Sequence, residues 1–595
     1  MKEFFKMVLA TVVGIIVCSL IMGFIFMMCM VGMVASGSSV KSVDKNSVMV
    51  LNLAGALEER SSNVSLMSLV GGGGSGAMGL DDVLSAIKKA KDEDDIKGIY
   101  IEAGMFSPDS YASVQAIRRA LSDFRKSGKW IIAYGDTYTQ GAYYLASVAD
   151  KVYINPEGMI EWSGIGSTPL FLKDMLQKFG VKVQLAKVGT YKSAPEMFTA
   201  DHMSDANREQ VTAYINGIWD NVLKEVSASR KISIDSLNAY ADNLVFLSST
   251  KELVDKHLVD GTLYTDQVKE VVKKQLKIDD DDHVNQLTLA DMVNVKDRNS
   301  DGEEIAVYYA YGDIVDGRAS SPTDIGSAAV IDAKVVCADL DKLAKDDNVK
   351  AVVLRVNSSG GSAYASEQIW RSVENLKKKK PIVVSMGGMA ASGGYYISCG
   401  SNWIVSEPTT LTGSIGIFGM FPDFSGLLRE KLNVKFDEVK TNKHSTFGTS
   451  ARPFTEEEMS YLEKYIDRGY KLFRKRVADG RKLSIDDVEK VAQGHVWLGQ
   501  DAIKHKLVDQ LGSLDDAVAK AAKLAKVDSY YAEPYPAQPD LWDQLFSSVG
   551  ESHGNYLDES LRATLGEFYE PLLFMHDLNR QNAIQARLPF VLKLR

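Results

Sequence analysis

Cysteine is scarce in this chain, and its positions match no metal-binding or disulfide-rich motif. Four cysteines occur in 595 residues, at positions 18, 29, 337 and 399, and no two of them have Cys-x-x-Cys spacing. The sequence therefore indicates neither a zinc site nor a disulfide framework, and we expect no bound metal. A single bridge between Cys337 and Cys399 stays open on the sequence alone.

Long basic segments and phosphate-binding loops are also missing. The formal net charge is −10, and no long basic block appears. We therefore expect no nucleic-acid partner. The glycine-rich stretch at 70–79 lacks the Lys-Ser/Thr pattern of a phosphate loop, which argues against nucleotide binding.

Charge is absent from residues 7–36, which are rich in Val, Ile, Leu, Met and Phe. About 20 such residues span a bilayer, whereas a signal-peptide core is about 7–15 residues long. We predict a transmembrane anchor and linker over residues 1–45; cleavage after Ala35 is the alternative. Because basic residues flank both ends almost equally, the charge pattern does not set the topology. These flanking residues are Lys2, Lys6, Lys41 and Lys45.

Strand and helix patterns alternate after the anchor. Apolar strands are predicted at 47–53, 96–101 and 130–134, and helices at 80–90 and 111–124. This βαβα order predicts an α/β fold with a parallel sheet covered by helices.

The same order returns later in the chain at a nearly constant offset. Residues 364–366 match 111–113, residues 393–396 match 141–144, and residues 413–416 match 163–166, at offsets of 253, 252 and 250. The chain is therefore predicted to be a tandem duplication. We assign residues 46–300 to the first repeat and 301–532 to the second, with a charged junction between them.

Residues 533–595 form a C-terminal extension beyond the repeats. Its segments at 541–546 and 557–574 are amphipathic, and its end at 588–594 is apolar and strand-like. We interpret it as material for oligomer packing, with a role at the membrane surface as the alternative.

The segment Met389-Ala-Ala-Ser-Gly-Gly-Tyr-Tyr follows a predicted strand at 381–386. Ser392 therefore lies where a buried strand gives way to the first turn of a helix. Helix N-terminal N–H groups there would face a negative charge that forms beside its hydroxyl. The two glycines after it allow another segment to approach closely. This placement is typical of a nucleophilic serine; an ordinary capping serine is the alternative.

A second glycine pair follows the predicted strand at 351–356, in a predicted loop at 357–362. Glycine N–H groups at the end of a strand can be presented to a carbonyl oxygen. Gly361 and Gly393 would form a two-donor oxyanion hole, with Gly360 as a further candidate. One such donor stabilises a transition state by roughly 3–4 kcal/mol.

These motifs resemble the signal peptide peptidase A family, in its long, membrane-anchored form. The resemblance rests on Ser-Ser-Gly-Gly-Ser362, Ala-Ala-Ser392-Gly-Gly-Tyr-Tyr, Gly-Ser414-Ile-Gly and Tyr191-Lys192-Ser-Ala, and it extends from about residue 46 to 529. It implies two tandem Clp-protease/crotonase-like repeats and a Ser–Lys dyad. Ser359 departs from the pattern, because proline is expected before the glycine pair.

The resemblance assigns the general base to Lys192 and the nucleophile to Ser392, one from each repeat. A buried lysine loses its charge more easily, and a neutral amine can accept the serine proton. Ser414 would orient that amine. A Ser-His-Asp triad is the rival mechanism, but of the eight histidines only His444 falls near one of these motifs, and no Gly-x-Ser-x-Gly elbow frames the serine.

The first repeat differs from the second where chemistry would matter. Gln140 stands opposite Ser392 and is not a nucleophile, and Pro108 stands opposite Gly361 and has no N–H to donate. We therefore expect a single serine site, in the second repeat, completed by the lysine of the first.

The resemblance implies a serine endopeptidase that hydrolyses short hydrophobic peptides, such as released signal peptides, without a metal or organic cofactor. It further implies a bowl-like homotetramer in the bacterial inner membrane. Each chain would cross that membrane once and carry its catalytic bulk on the periplasmic side. Two other functions fit the residues. One is a crotonase-like acyl-CoA enzyme in which Gly361 and Gly393 hold a thioester oxygen, and the other is a non-catalytic membrane scaffold.

Overall fold

A computed structural model describes residues 40–61, 77–279, 281–297, 301–317, 329–537 and 584–587, with isolated positions between 6 and 23 and at 569. Most of the predicted anchor at 7–36 lies outside these residues. Among the residues that are described, no helix is long and apolar enough to cross a bilayer.

The first repeat alternates strands and helices as its sequence pattern predicts. Its strands are β1 (Ser47–Glu58), β2 (Met78–Gly79), β3 (Ile96–Pro108), β4 (Trp130–Tyr138), β5 (Lys151–Ile160), β6 (Lys182–Val188), β7 (Gly261–Thr262) and β8 (Gln286–Leu287). Its helices are α1 (Leu80–Asp92), α2 (Tyr111–Arg125), α3 (Gln140–Ala146), α4 (Lys173–Lys178), α5 (Glu196–Thr199), α6 (Asp205–Arg230), α7 (Ile234–Asp242), α8 (Thr250–Asp255), α9 (Thr265–Leu276) and α10 (Leu289–Val293).

The second repeat follows the same plan. Its strands are β9 (Glu303–Tyr311), β10 (Asp313–Val315), β11 (Val330–Asp332), β12 (Val349–Ser358), β13 (Gly360–Ser362), β14 (Ile382–Ala391), β15 (Trp403–Ser406), β16 (Leu411–Gly413), β17 (Ile417–Asp423), β18 (Val496–Leu498), β19 (Gln510–Leu511) and β20 (Tyr530–Tyr535). Its helices are α11 (Ala333–Lys345), α12 (Ala363–Lys377), α13 (Gly393–Ser398), α14 (Glu456–Arg481), α15 (Ile485–Val491), α16 (Gly499–Ala502) and α17 (Leu514–Ala525).

Each repeat builds its own, mainly parallel sheet, which confirms the α/β prediction and the duplication. The strand order is β2-β1-β3-β4-β5-β7 in the first repeat and β18-β16-β14-β12-β9-β20 in the second. β20 runs through the predicted boundary at 532. The apolar runs of these strands are buried because helices cover the sheets.

A third sheet joins the two repeats, and the sequence pattern did not predict it. Its order is β11-β10-β13-β21-β17-β6, where β21 is the C-terminal strand Ile584–Arg587. β6 comes from the first repeat and pairs antiparallel with β17 of the second, with Val188 opposite Ile417. This pairing fixes the two repeats against each other beside the glycine-rich strand β13.

A buried ion pair also crosses between the repeats. Arg355 Nε on β12 lies 2.5 Å from Glu59 Oε1, and both side chains are almost fully buried. Arg355 also donates to Ser385 Oγ and to the carbonyl oxygen of Met386. Both charges are thus paired or hydrogen-bonded, as buried charges need to be.

The stretch predicted as a loop at 357–362 is largely strand. Asn357 and Ser358 finish β12, where they pair with β9 and β14 respectively. Gly360–Ser362 form β13, which pairs with β10 on one side and with β21 on the other. The predicted terminal strand at 588–594 lies outside the described residues; the strand that is described, β21, comes just before it. Most of the glycine-rich stretch at 70–79 also lies outside them.

Candidate active site

Ser392 stands at the junction of β14 and α13, where the sequence places it. Its backbone has φ 54° and ψ −112°, a conformation that costs energy for a residue with a side chain. Its side chain makes no capping hydrogen bond to α13, so the capping alternative is wrong. The hydroxyl is instead a hydrogen-bond partner of Lys192 Nζ.

The two glycines after Ser392 let a neighbouring segment come close. A Cβ on Gly393 would lie 2.7 Å from Ser366 Oγ, and one on Gly394 would lie 2.8 Å from the carbonyl oxygen of Ser358. Any larger residue at either position would push α13 away from β12 and α12.

Ser414 lies beside Ser392 because their strands end together. β14 and β16 are parallel neighbours with Ala391 opposite Gly413, so the residues that follow them meet at one sheet edge. Ser392 N–H donates to the carbonyl oxygen of Gly413 at 2.8 Å. Ser414 also has a positive φ, 50°.

Lys192 reaches the same edge from the first repeat. The antiparallel pairing of β6 and β17 sets the end of β6 opposite the start of β17. The loop after β6 therefore carries Lys192 to the turn before β17, which contains Ser414. Lys192 Nζ lies 2.7 Å from Ser392 Oγ, 3.0 Å from Ser414 Oγ and 3.2 Å from the Ser414 carbonyl oxygen.

The amine of Lys192 is enclosed by the protein. Its side chain is 1% exposed, and within the described part of the chain its hydrogen-bond partners are the two serines, with no acidic group among them. Burial holds the pKa of the Lys192 amine well below its ordinary range, because the charged form loses its hydration. A neutral amine at this distance can accept the proton of the Ser392 hydroxyl.

Residues 493–495 hold the loop that carries Lys192, called the lysine loop below. Sequence reasoning missed these residues. Tyr191 N–H donates to the carbonyl oxygen of Gln493, and Ser414 N–H donates to that of His495. A Cβ on Gly494 would lie 2.6 Å from Lys192 N, so this close contact needs glycine. Side chains contribute as well: Thr190 N–H donates to Gln493 Oε1 at 3.2 Å, and the rings of Tyr191 and His495 lie 4.3 Å apart. The glycine was the one signal in the sequence.

The glycines proposed as oxyanion donors come together where β13 meets the start of α13, since a Cβ on Gly360 would lie 2.8 Å from Gly393 N. Gly360 and Gly361 have φ values of 107° and 154°, which favour glycine. Gly360 N–H donates to Ser358 Oγ at 3.1 Å, which removes it as a free donor. Gly393 N–H belongs to the first turn of α13 and has no partner within the helix. Gly361 and Gly393 thus stay the candidate pair.

The matching site of the first repeat is filled. Gln140 Oε1 accepts from the N–H groups of Ser163 and Gly164, and Nε2 donates to Tyr111 Oη. A Cβ on Gly141 would lie 3.3 Å from Pro108 Cγ. Gln140 therefore holds the turn of the first repeat that is equivalent to the Ser414 turn of the second. The position equivalent to Ser392 carries no nucleophile.

His444 is not part of this cluster. Its ring nitrogens lie 3.8 Å from Glu457 and 3.6 Å from Glu458 on α14, whereas Ser392 Oγ has Lys192 as its partner. Cys337 and Cys399 are free thiols, so the bridge that the sequence left open does not form.

Comparison with known proteins identifies the family of this chain. The model of peptidase family S49 matches residues 123–279 and 374–528, and that of Clp protease matches residues 326–404. Protease 4 of Salmonella typhi is 38% identical over 497 residues, which cover 82% of this chain and 78% of that protein. Protease 4 of Haemophilus influenzae is 38% identical over 463 residues, which cover 74% and 72%.

Two more distant likenesses complete the comparison. A chloroplast serine protease of Arabidopsis thaliana, SPPA, is 28% identical over 519 residues, covering 85% of this chain and 74% of that protein. Among solved structures, ClpP1 of Listeria monocytogenes is 15% identical, covers 36% of this chain and 94% of that chain, and has a TM-score of 0.22, which supports no inference. The S49 matches fall one in each repeat. The chain therefore belongs to peptidase family S49 and is a serine protease.

Proposed function

We propose that Ser392 and Lys192 are a catalytic Ser–Lys dyad and that Ser414 orients the amine. The observation that carries the proposal is the 2.7 Å separation of Lys192 Nζ and Ser392 Oγ, with the amine buried. A lysine is a useful base at neutral pH only when its pKa is depressed, and burial depresses this one.

The proposed reaction starts when Ser392 Oγ attacks the peptide carbonyl carbon and its proton passes to Lys192 Nζ. The N–H groups of Gly361 and Gly393 stabilise the oxyanion. Lys192 then returns the proton to the leaving amine, and an ester on Ser392 remains. Water attacks this ester with Lys192 again as the base, which releases the acid and restores the serine.

The proposed substrates are short hydrophobic peptides, such as signal peptides after their release. This class is supported by the apolar side chain of Ile314, whose Cδ1 would lie 3.1 Å from a Cβ on Gly393, one of the proposed oxyanion donors. Membership of a protease family argues against an acyl-CoA enzyme and against a non-catalytic scaffold.

We also propose that residues 7–36 anchor the protein in the bacterial inner membrane by a single span, with the catalytic bulk on the periplasmic side. The absence of charge over 30 positions supports an anchor.

A homotetramer is proposed as well. It is supported by exposed apolar side chains between β17 and α14, namely Leu432, Val434, Val439 and Phe447. Light scattering of the detergent-solubilised protein and of Val439→Asp tests the assembly, and an unchanged mass for the variant would remove this surface from the contact.

The central test is labelling by a fluorophosphonate probe, read by peptide mass spectrometry. We expect the label on Ser392 and its loss in Ser392→Ala. Ser398→Ala is a matched control, since Ser398 is also buried but donates its hydroxyl to the carbonyl oxygen of Gly394. Labelling at another serine, or undiminished peptide hydrolysis by Ser392→Ala, would contradict the proposal.

A further inference from the structure

Gln210 is a buried amide on α6 that takes no part in the proposed reaction. The residue is 2% exposed. An amide that has lost its water needs protein partners for its two N–H groups and for its oxygen. The partners of Gln210 lie in both repeats, and they show which segments it joins.

The amide nitrogen of Gln210 binds the lysine loop on both sides of Lys192. Nε2 donates to the carbonyl oxygen of Tyr191 at 3.0 Å and to Ser193 Oγ at 3.1 Å. Tyr191 N–H in turn donates to the carbonyl oxygen of Gln493. Both backbone polar groups of the residue before Lys192 are therefore bound, and the residue after it is bound through its hydroxyl.

The amide oxygen of Gln210 binds the second repeat. Oε1 accepts from Val496 N–H at 3.2 Å, and Val496 begins β18. β18 pairs with β16, the strand that leads into Ser414. The orientation of the amide follows from its partners, because the Tyr191 carbonyl oxygen needs a donor and the Val496 N–H needs an acceptor. One side chain thus links the lysine loop to the strands beside Ser414.

Neighbouring polar groups hold the side chain of Gln210 in this orientation. Asn207 Oδ1 lies 3.2 Å from Gln210 Nε2, and Asn207 Nδ2 donates to Glu196 Oε2 at 3.0 Å. Glu196 Oε1 accepts from Ser204 Oγ at 2.6 Å. Asn207 and Glu196 are buried as well. Gln210 is therefore one member of a buried hydrogen-bond network, and such a network makes its members rigid.

We propose that Gln210 is a positioning residue for the Ser–Lys dyad. It holds the lysine loop against β18, and this contact keeps Lys192 Nζ within hydrogen-bond distance of Ser392 Oγ. The role is indirect, since the hydrogen bonds of Gln210 reach the residues beside Lys192 rather than its amine. A displacement of about 1 Å at a reacting group lowers a rate by about 100-fold, so the loop that carries the base has to be held firmly. The proposal rests on the function proposed above and adds one residue to it.

Gln210→Met tests the proposal, because methionine has a similar length but no amide. On an apolar peptide, kcat should fall by about 10- to 100-fold, while KM stays close to that of wild type. The rising limb of kcat/KM should also move to higher pH, because a displaced loop lets water reach the Lys192 amine and its pKa then rises toward the ordinary value. A folded Gln210→Met with the kcat and the pH profile of wild type would overturn the proposal.

Asn221→Leu is the matched control on the same helix. Asn221 also joins the two repeats, since its Nδ2 donates to Gln500 Oε1 at 3.0 Å, but its other hydrogen bond goes to the carbonyl oxygen of Gly217 at 2.7 Å, within α6. The control should lower the melting temperature and keep the kcat and the pH profile of wild type. Equal kinetic losses in Asn221→Leu and Gln210→Met would mean that loosening the repeats is enough, which overturns the role given to Gln210.

Ser193→Ala shows whether Gln210 acts through the lysine loop, and it decides the question even where Gln210→Met fails to fold. It removes one acceptor of Gln210 Nε2 and leaves the contact with Val496. We expect a smaller loss of kcat than in Gln210→Met, with the rising limb displaced in the same direction. The double variant should lose little more than Gln210→Met alone. Fully additive losses, or wild-type kcat and pH profile in Ser193→Ala, would count against the proposal and overturn it.

Labelling of Ser392 by the fluorophosphonate probe separates this proposal from the proposed function. Wild type that is labelled at Ser392 and hydrolyses the peptide, together with unchanged kinetics in Gln210→Met, overturns the positioning role alone. Wild type that is neither labelled nor active overturns both proposals.

Discussion

Lys192 Nζ lies 2.7 Å from Ser392 Oγ, although the two residues belong to different repeats of a duplicated chain. The pairing of β6 with β17 brings them together, and the filled site around Gln140 leaves the first repeat without a nucleophile. The proposed site is thus divided between the two repeats. Each half of the site can be tested separately.

Ser414→Gly should lower kcat by about 10- to 100-fold. This is the loss that corresponds to removing one hydrogen bond to a group that is charged or becomes charged during the reaction. Glycine tolerates the positive φ of this position, so the backbone should stay in place while the hydroxyl is lost. Steady-state kinetics and thermal unfolding check this together. An unchanged kcat in a folded variant would remove Ser414 from the orientation of Lys192.

His495→Phe should keep most of the activity. His495 contributes a carbonyl oxygen, which accepts from Ser414 N–H, and a ring that lies 3.9 Å from the Trp497 ring and 4.3 Å from the Tyr191 ring. Its Nδ1 also lies 2.9 Å from the carbonyl oxygen of Val496, on the residue that follows it. Phenylalanine preserves the carbonyl oxygen and the ring but has no titratable nitrogen. The pH profile of kcat/KM should also be unchanged. A collapse of activity together with loss of the rising limb would indicate that an imidazole is the base.

Gly360→Ala should abolish peptide hydrolysis. The added methyl would enter the space between the Ala586 oxygen and Gly393 N, where a peptide carbonyl has to fit. Part of the effect could come from its positive φ, since such a backbone costs a residue with a side chain about 1–2 kcal/mol.

Gly55→Ala controls for that strain, because Gly55 has φ 79° and a Cβ there would meet nothing within 4 Å. We expect Gly55→Ala to lose melting temperature through its positive φ alone and to keep a normal kcat/KM. Equal activity in both would mean that the face of Gly360 is not part of the peptide site.

Arg355→Leu should lower the free energy of unfolding by about 3–5 kcal/mol, because it leaves Glu59 buried and unpaired. The double variant Arg355→Leu with Glu59→Leu should recover part of the loss. Lys251→Ala, which breaks an exposed pair with Asp255 within α8, should leave the urea midpoint unchanged. Comparable losses of stability in Arg355→Leu and Lys251→Ala would contradict the stabilising role given to the buried ion pair between the repeats.

The sequence predicted what local pattern and repetition encode. Apolar runs and helical periodicity indicated the parallel sheets, and near-equal offsets indicated the duplication. Ser392 could be found because a strand, a serine and two glycines follow one another in a few residues.

The third sheet could not be found in this way. β6 and β17 are far apart in sequence, and β21 has four residues that form a strand because both neighbours pair with it. Such non-local pairing leaves little trace in local composition. Residues 493–495 were missed for a related reason, since two of their contacts with the lysine loop depend on the backbone, namely the Gln493 carbonyl oxygen and the bare Cα of Gly494.

The central claim is that neutral Lys192 is the base for Ser392, and the pH dependence of kcat/KM on an apolar peptide tests it most directly. Burial lowers the pKa of the amine, and the neutral form is the active one. Activity should therefore rise with pH through an apparent pKa well below the ordinary lysine value of about 10.4. Lys192→Arg, which stays protonated, should be as inactive as Lys192→Ala across the whole range. Substantial hydrolysis by Lys192→Arg, or a wild-type profile that does not rise until the ordinary lysine pKa, would contradict the account.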